Sequence, residues 1–191
     1  YIVVPDSPGL DGTDQLTVTT WFRVDNFHQP NETGDRGIFS KRVRNLDNHS
    51  YNAFFRNGGG GRLIVDVADS DDRFTSATSF IEGQWYHLAL VFDGSLASNE
   101  RVKLYVDGGL DGNYYESSTF IPDNVSDFHI GNLNTGSLDR LKTFDGAIDE
   151  VRVISEALSA SQVVAVMNET RVCELPLVDH FDIDHNSSVI F

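Results

Sequence analysis

The feature that most constrains this chain is the recurrence of short runs rich in β-branched and aromatic residues, each closed by a break of glycine, asparagine or aspartate. Residues 15–24 are the clearest such run: apolar and polar positions alternate, as in a strand with one face buried. Residues 37–41, 51–56, 62–67, 74–80, 101–106, 128–132 and 146–154 repeat the pattern with turn residues between them. Residues 83–94 are nearly continuous apolar sequence, which predicts a central strand buried on both faces. Gly58, Gly59, Gly60 and Gly61 supply a tight reversal between two strands and predict a hairpin. A phosphate cradle would need a helix with Lys and Ser/Thr after the glycines, and a β-branched strand follows instead. One helix is expected, with Ser159 as N-cap and Gln162 at the capping-box position.

Many short strands and a single helix predict an all-β fold: a two-sheet antiparallel β-sandwich of the jelly-roll kind with one short C-terminal helix. A length of 191 residues suits one such domain, and the 40% apolar content, with 13 Phe, can fill its core. The texture changes after the helix, so residues 1–170 read as the jelly roll and residues 171–191 as the start of a following, truncated segment. The chain opens in strand-like sequence without Met or a signal segment, the expected look of a piece of a longer protein. The formal charge of −15 opposes binding to nucleic acid, and no run of apolar residues is long enough for a membrane span. A single cysteine, Cys173, allows no internal disulfide.

The order of five motifs then resembles a known family. Tyr1 to Asp11, Leu16 to Phe22, Gly83-Gln84-Trp85-Tyr86-His87-Leu88, Val102 to Gly108, and Gly146 to Val153 before Ala157-Leu158-Ser159 are similar to the bacterial laminin-G-like, concanavalin-A-like jelly rolls. The resemblance spans residues 1–168 and implies a binding module. The tail from Cys173 to His185 is similar to the junction that follows such a jelly roll in MshQ-like proteins, associated with biogenesis of the mannose-sensitive haemagglutinin pilus. That likeness implies an exported protein, periplasmic, cell-surface or extracellular, acting in adhesion, with Cys173 pairing to a cysteine beyond Phe191.

The family also implies a structural calcium ion, held by Asp149 on the last strong strand and by the N-terminal loop carrying Asp6, Asp11 and Asp14. The alternative is that Asp149 accepts hydrogen bonds from backbone amides or pairs with Arg152, while the N-terminal acids cap turns. Asp69, Ser70, Asp71 and Asp72 lack the glycine and glutamate of an EF-hand and read as a solvated loop. For a glycan, the loops offer Tyr114, Tyr115, His28, Asn45, Asn48, His49 and Asn134. Trp21 and Trp85 lie inside strong strands and read as core. The alternating acids of a concanavalin-A-like glycosidase are missing, so a non-catalytic module is expected, binding a glycan or a surface protein, or serving only to dock neighbouring domains.

Overall fold

The computed structural model describes residues 1–11, 13–27, 34–42, 49–56, 58–134, 143–169 and 188–190. Twelve strands and one α-helix follow in the order β1 (Ile2–Val4), β2 (Gln15–Val24), β3 (Arg36–Arg42), β4 (His49–Phe55), β5 (Arg62–Val67), β6 (Asp69–Ser79), β7 (Trp85–Asp93), β8 (Val102–Val106), β9 (Gly109–Tyr114), β10 (Phe128–Ile130), β11 (Gly146–Ile154), α1 (Ala160–Met167) and β12 (Ser188–Ile190). They form two six-stranded antiparallel sheets, ordered β1-β10-β3-β4-β5-β6 and β12-β11-β2-β7-β8-β9. The expected sandwich is therefore the one observed. Residues 188–190 pair along β11 and so lengthen the second sheet.

Alternation decides which side chains meet between the sheets. Leu16, Val18, Phe22 and Val24 of β2 face Tyr51, Ala53 and Phe55 of β4 and Leu63, Val65 and Val67 of β5, all in one continuous core. The Phe22 ring lies 5.2 Å from Phe80, 5.9 Å from Phe55 and 6.0 Å from Tyr86 by centroid, distances at which tilted aromatic pairs attract. As its composition requires, β7 is buried on both sides. Leu88, Leu90 and Phe92 enter the core, while Ala89 and Val91 on the outer side pack with Leu158 and with Val163 of α1. Ser159 starts that helix with a reciprocal capping box to Gln162, as the sequence indicates.

Two elements differ from expectation. Residues 69–72 belong to strand β6, and Asp72 accepts hydrogen bonds from the amide and hydroxyl of Ser117. Strand β9 is absent from the strands expected above, because Gly109, Gly112 and Asp111 are poor strand formers. It is held from outside: Asp111 accepts the amides of Ala77 at 2.8 Å and Thr78 at 2.7 Å, tying the edge of one sheet to the edge of the other. Among the described residues, no helix is long and apolar enough to cross a membrane.

Candidate functional site

The outer face of the second sheet follows from what its strands bury. Phe22 and Tyr86 fill the core, so their neighbours Trp21, Arg23, Trp85 and His87 must point the other way. The strand register places Arg23 opposite Trp85 and Trp21 opposite His87 on one side, with Asp149 opposite Trp21 on the other. Trp85 is 40% exposed and Trp21 is half-buried. The reading of both tryptophans as core is thus corrected: the single-residue alternation that sends Phe22 and Tyr86 inward sends the indoles outward.

The polar groups around them are fixed by charge. The Arg23 guanidinium sits 5.6 Å from the Trp85 ring centroid, a cation–π geometry. It is gripped at both ends by Asp25, at 2.8 and 3.2 Å, and that hydrogen bond holds the Asp25 carboxyl below the usual carboxylate range. His87 is buried edge-on to Trp21, 5.3 Å between ring centroids. Burial, reinforced by the positive charge of Arg152, lowers its pKa to about 4, so the imidazole is neutral at neutral pH. Arg152 pairs with Glu150 at 3.0 Å and with Glu169 beyond the helix.

The turn at residues 81–84 that leads into β7 contributes Ile81 and Glu82 to the wall of an open cavity of about 550 Å³, lined also by Phe27, Gly58, Gly59, Gly60, Gly61 and Phe80. This volume lies within the range of small-molecule sites. Glu82 shapes its wall by accepting the Phe27 amide at 2.7 Å. Gly61 is required by position: at φ +73° an added Cβ would fall 2.6 Å from the Phe80 carbonyl oxygen. At Gly58 and Gly60 a Cβ would meet nothing within 4 Å, so bare backbone faces open space there. The sequence signal for this groove is the glycine run itself, whose part in the hairpin masks its part in the cavity wall.

The residues expected to bind a glycan are dispersed. Tyr114 stacks on Phe74 at 3.8 Å and donates its hydroxyl to Asp111 at 2.8 Å, so its ring closes the sandwich edge. Tyr115 is exposed. Asn134 donates its amide to Ser40 Oγ at 2.9 Å and its side chain to the Arg42 carbonyl at 3.3 Å, fastening a loop to β3. His28, Asn45 and Asn48 lie outside the described residues, as does the side chain of His49, whose backbone opens β4.

The four acids expected to hold calcium do not converge. Asp149 is exposed, and its Oδ1 accepts the Glu150 amide at 2.8 Å; Arg152 pairs elsewhere. Asp14 is exposed, and its carbonyl accepts the Gly94 amide. Asp6 and Asp11 do meet, but around the ammonium of Lys41, at 2.5 and 3.3 Å. A charged Nζ in the space between two carboxylates leaves no room for a divalent ion, so these residues do not fit one. Among the described residues there is no cluster of three or more His, Cys, Asp or Glu suited to a metal.

With this geometry in place, the chain can be set beside known proteins. No curated protein sequence matches it. Among solved structures it is similar to a putative carbohydrate binding protein from Bacteroides ovatus, with a TM-score of 0.64 and 18% identity over 85% of this chain and 43% of that one. It is similar to a heptameric SAP-like pentraxin from Limulus polyphemus, with a TM-score of 0.60 and 23% identity over 86% of this chain and 71% of that one. A third likeness is domain 4 of an extracellular arabinanase from Geobacillus stearothermophilus, solved with arabinotriose, with a TM-score of 0.54 and 24% identity over 86% of this chain and 70% of that one. At these identities the likeness is one of fold. The family model Laminin_G_3, described as the concanavalin A-like lectin/glucanases superfamily, matches residues 1–164, and the chain therefore belongs to that family.

Proposed function

We propose that this domain is a non-catalytic carbohydrate-recognition module and that a neutral oligosaccharide spans the exposed Trp85 indole and the cavity walled by Ile81 and Glu82. Two observations carry this reading: the Trp85 indole is exposed on the outer face of its sheet, and the turn that leads into its strand contributes Ile81 and Glu82 to a cavity of about 550 Å³. A pyranose presents a ring of C–H groups that pack on an aromatic face, and its hydroxyls need fixed donors and acceptors at the rim. Arg23, Asp25, Glu82 and the backbone of residues 58–61 supply those groups. Asp25 neutralises Arg23, so no unpaired cation waits there for an acidic sugar, and the formal charge of −15 repels one at long range. Two similar structures, the putative carbohydrate binding protein and the arabinanase domain with arabinotriose, point in the same direction.

Glycosidic hydrolysis needs one carboxyl kept protonated as the acid. Asp25 is pushed the opposite way by Arg23 and serves as a hydrogen-bond acceptor. The setting we infer is an exported adhesion protein of the pilus-associated kind, in which this domain contacts glycans. In the alternative of a pure docking domain, the exposed Tyr1, Ile2 and Val3 along β1 would form the contact. A glycan array decides between them: the recognition reading expects binding to neutral oligosaccharides, and an array at background throughout rejects it.

A further inference from the structure

The disagreement over calcium has a positive explanation at Lys41. Its side chain lies on β3, wholly buried, and its Nζ faces four oxygens: Asp6 Oδ1 at 2.5 Å, Asp11 Oδ1 at 3.3 Å, and the carbonyls of Ser126 at 2.9 Å and Asn124 at 3.1 Å. The four oxygens come from two segments distant in sequence, the N-terminal stretch around residues 6–11 and the crossing at residues 115–127 that carries the chain from one sheet to the other, and the lysine joins both to β3. Two carboxylates and two main-chain carbonyls make the hard-oxygen donor set that would suit a Ca²⁺ ion. Here an ammonium with three donors stands at its centre.

The surroundings are built to hold those oxygens. Asn124 is buried, accepts the Ser126 amide at 2.9 Å and donates to Ser50 Oγ at 2.6 Å, while the Ser126 hydroxyl donates to the Arg42 carbonyl. The segment carrying both carbonyls is therefore held by bonds other than those to the lysine. Tyr51 closes the floor by donating to the Leu10 carbonyl at 3.1 Å. Of the two carboxyls, Asp6 is drawn down by its hydrogen bond to Lys41. Asp11 is raised, first by burial and then by the charges of Asp6 and Asp123. Its two anions and one cation leave the cradle short of positive charge, and the lysine is what makes it tolerable.

We infer that Lys41 is a resident, covalently attached cation doing at this junction the crosslinking that a structural calcium ion would do, so that the N-terminal segment is locked to the sandwich without metal. Removal of the ammonium then leaves an empty oxygen cradle with affinity for a divalent cation. The test is thermal unfolding of the whole chain, followed by circular dichroism in EDTA and in calcium chloride. The wild-type protein is expected to melt at the same temperature in both. Lys41→Ala is expected to melt roughly 10 °C lower in EDTA, because two partly buried carboxylates lose their partner, and to recover part of that loss in calcium. A Lys41→Ala protein as stable as the wild type would overturn the inference. So would a wild-type melting point that rises with calcium and loses that rise in Asp6→Asn, a measurement that does not depend on Lys41→Ala folding.

Discussion

Acidification from pH 7.5 to pH 4.5 should weaken this domain, and His87 carries a separable part of the loss. His87 is 2% exposed beneath Trp21 and Arg152, its Nδ1 has no hydrogen-bond partner, and burial holds its pKa at about 4 against an ordinary 6.5. The unfolded chain therefore takes up a proton at a pH where the native state refuses one. The stability this group contributes is complete above pH 6.5 and is lost as the pH falls toward 4. A shift of about 2.5 units corresponds to about 3 kcal/mol in all. The linkage expression puts the loss at about 1.4 kcal/mol by pH 5.5 and about 2.6 kcal/mol by pH 4.5. Urea unfolding at closely spaced pH values, for the wild type and for His87→Gln, measures it. His129, also lowered by burial, is present in both proteins and cancels in the difference. The carboxylates that Asp25 and Asp111 exemplify lose stability only lower, near and below pH 4. Parallel stability curves for the two proteins between pH 6.5 and 4.5 would refute the reasoning.

Two stability predictions follow from single hydrogen-bond acceptors. Asp111→Ala strands the amides of Ala77 and Thr78 and the hydroxyl of Tyr114 at the sandwich edge, and should cost about 2–3 kcal/mol in urea unfolding. Ser159→Ala removes the capping box of α1, which covers Ala89 and Val91, and should cost about 1 kcal/mol and lower the melting temperature by roughly 3 °C.

Most of the architecture was legible because it rests on local patterns. The alternation of β2, the all-apolar stretch of β7, the glycines between β4 and β5 and the Ser159–Gln162 pair each prescribe their own structure. What escaped depends on distant partners. Strand β9 exists because Asp111 finds two amides of β6, and β6 begins as early as Asp69 because that residue pairs with Val67 of β5. The site was half legible. Phe22 and Tyr86 already imply outward tryptophans at positions 21 and 85, but the size of an indole invites a core assignment that the pleat forbids. Lys41 gave no sign at all: a lysine two residues beyond Phe39 reads as solvated until the crossing at residues 115–127 folds over it and brings the carbonyls of Asn124 and Ser126 to its ammonium.

The central claim is that the exposed Trp85 indole holds a sugar. Isothermal titration of the array's strongest neutral oligosaccharide into the wild type, Trp85→Ala and the exposed-tyrosine control Tyr115→Ala tests it most directly. Loss of the indole face should cost about 2 kcal/mol, a roughly thirtyfold weaker affinity for Trp85→Ala, with Tyr115→Ala binding as the wild type does. Equal affinity for the wild type and Trp85→Ala would contradict the account.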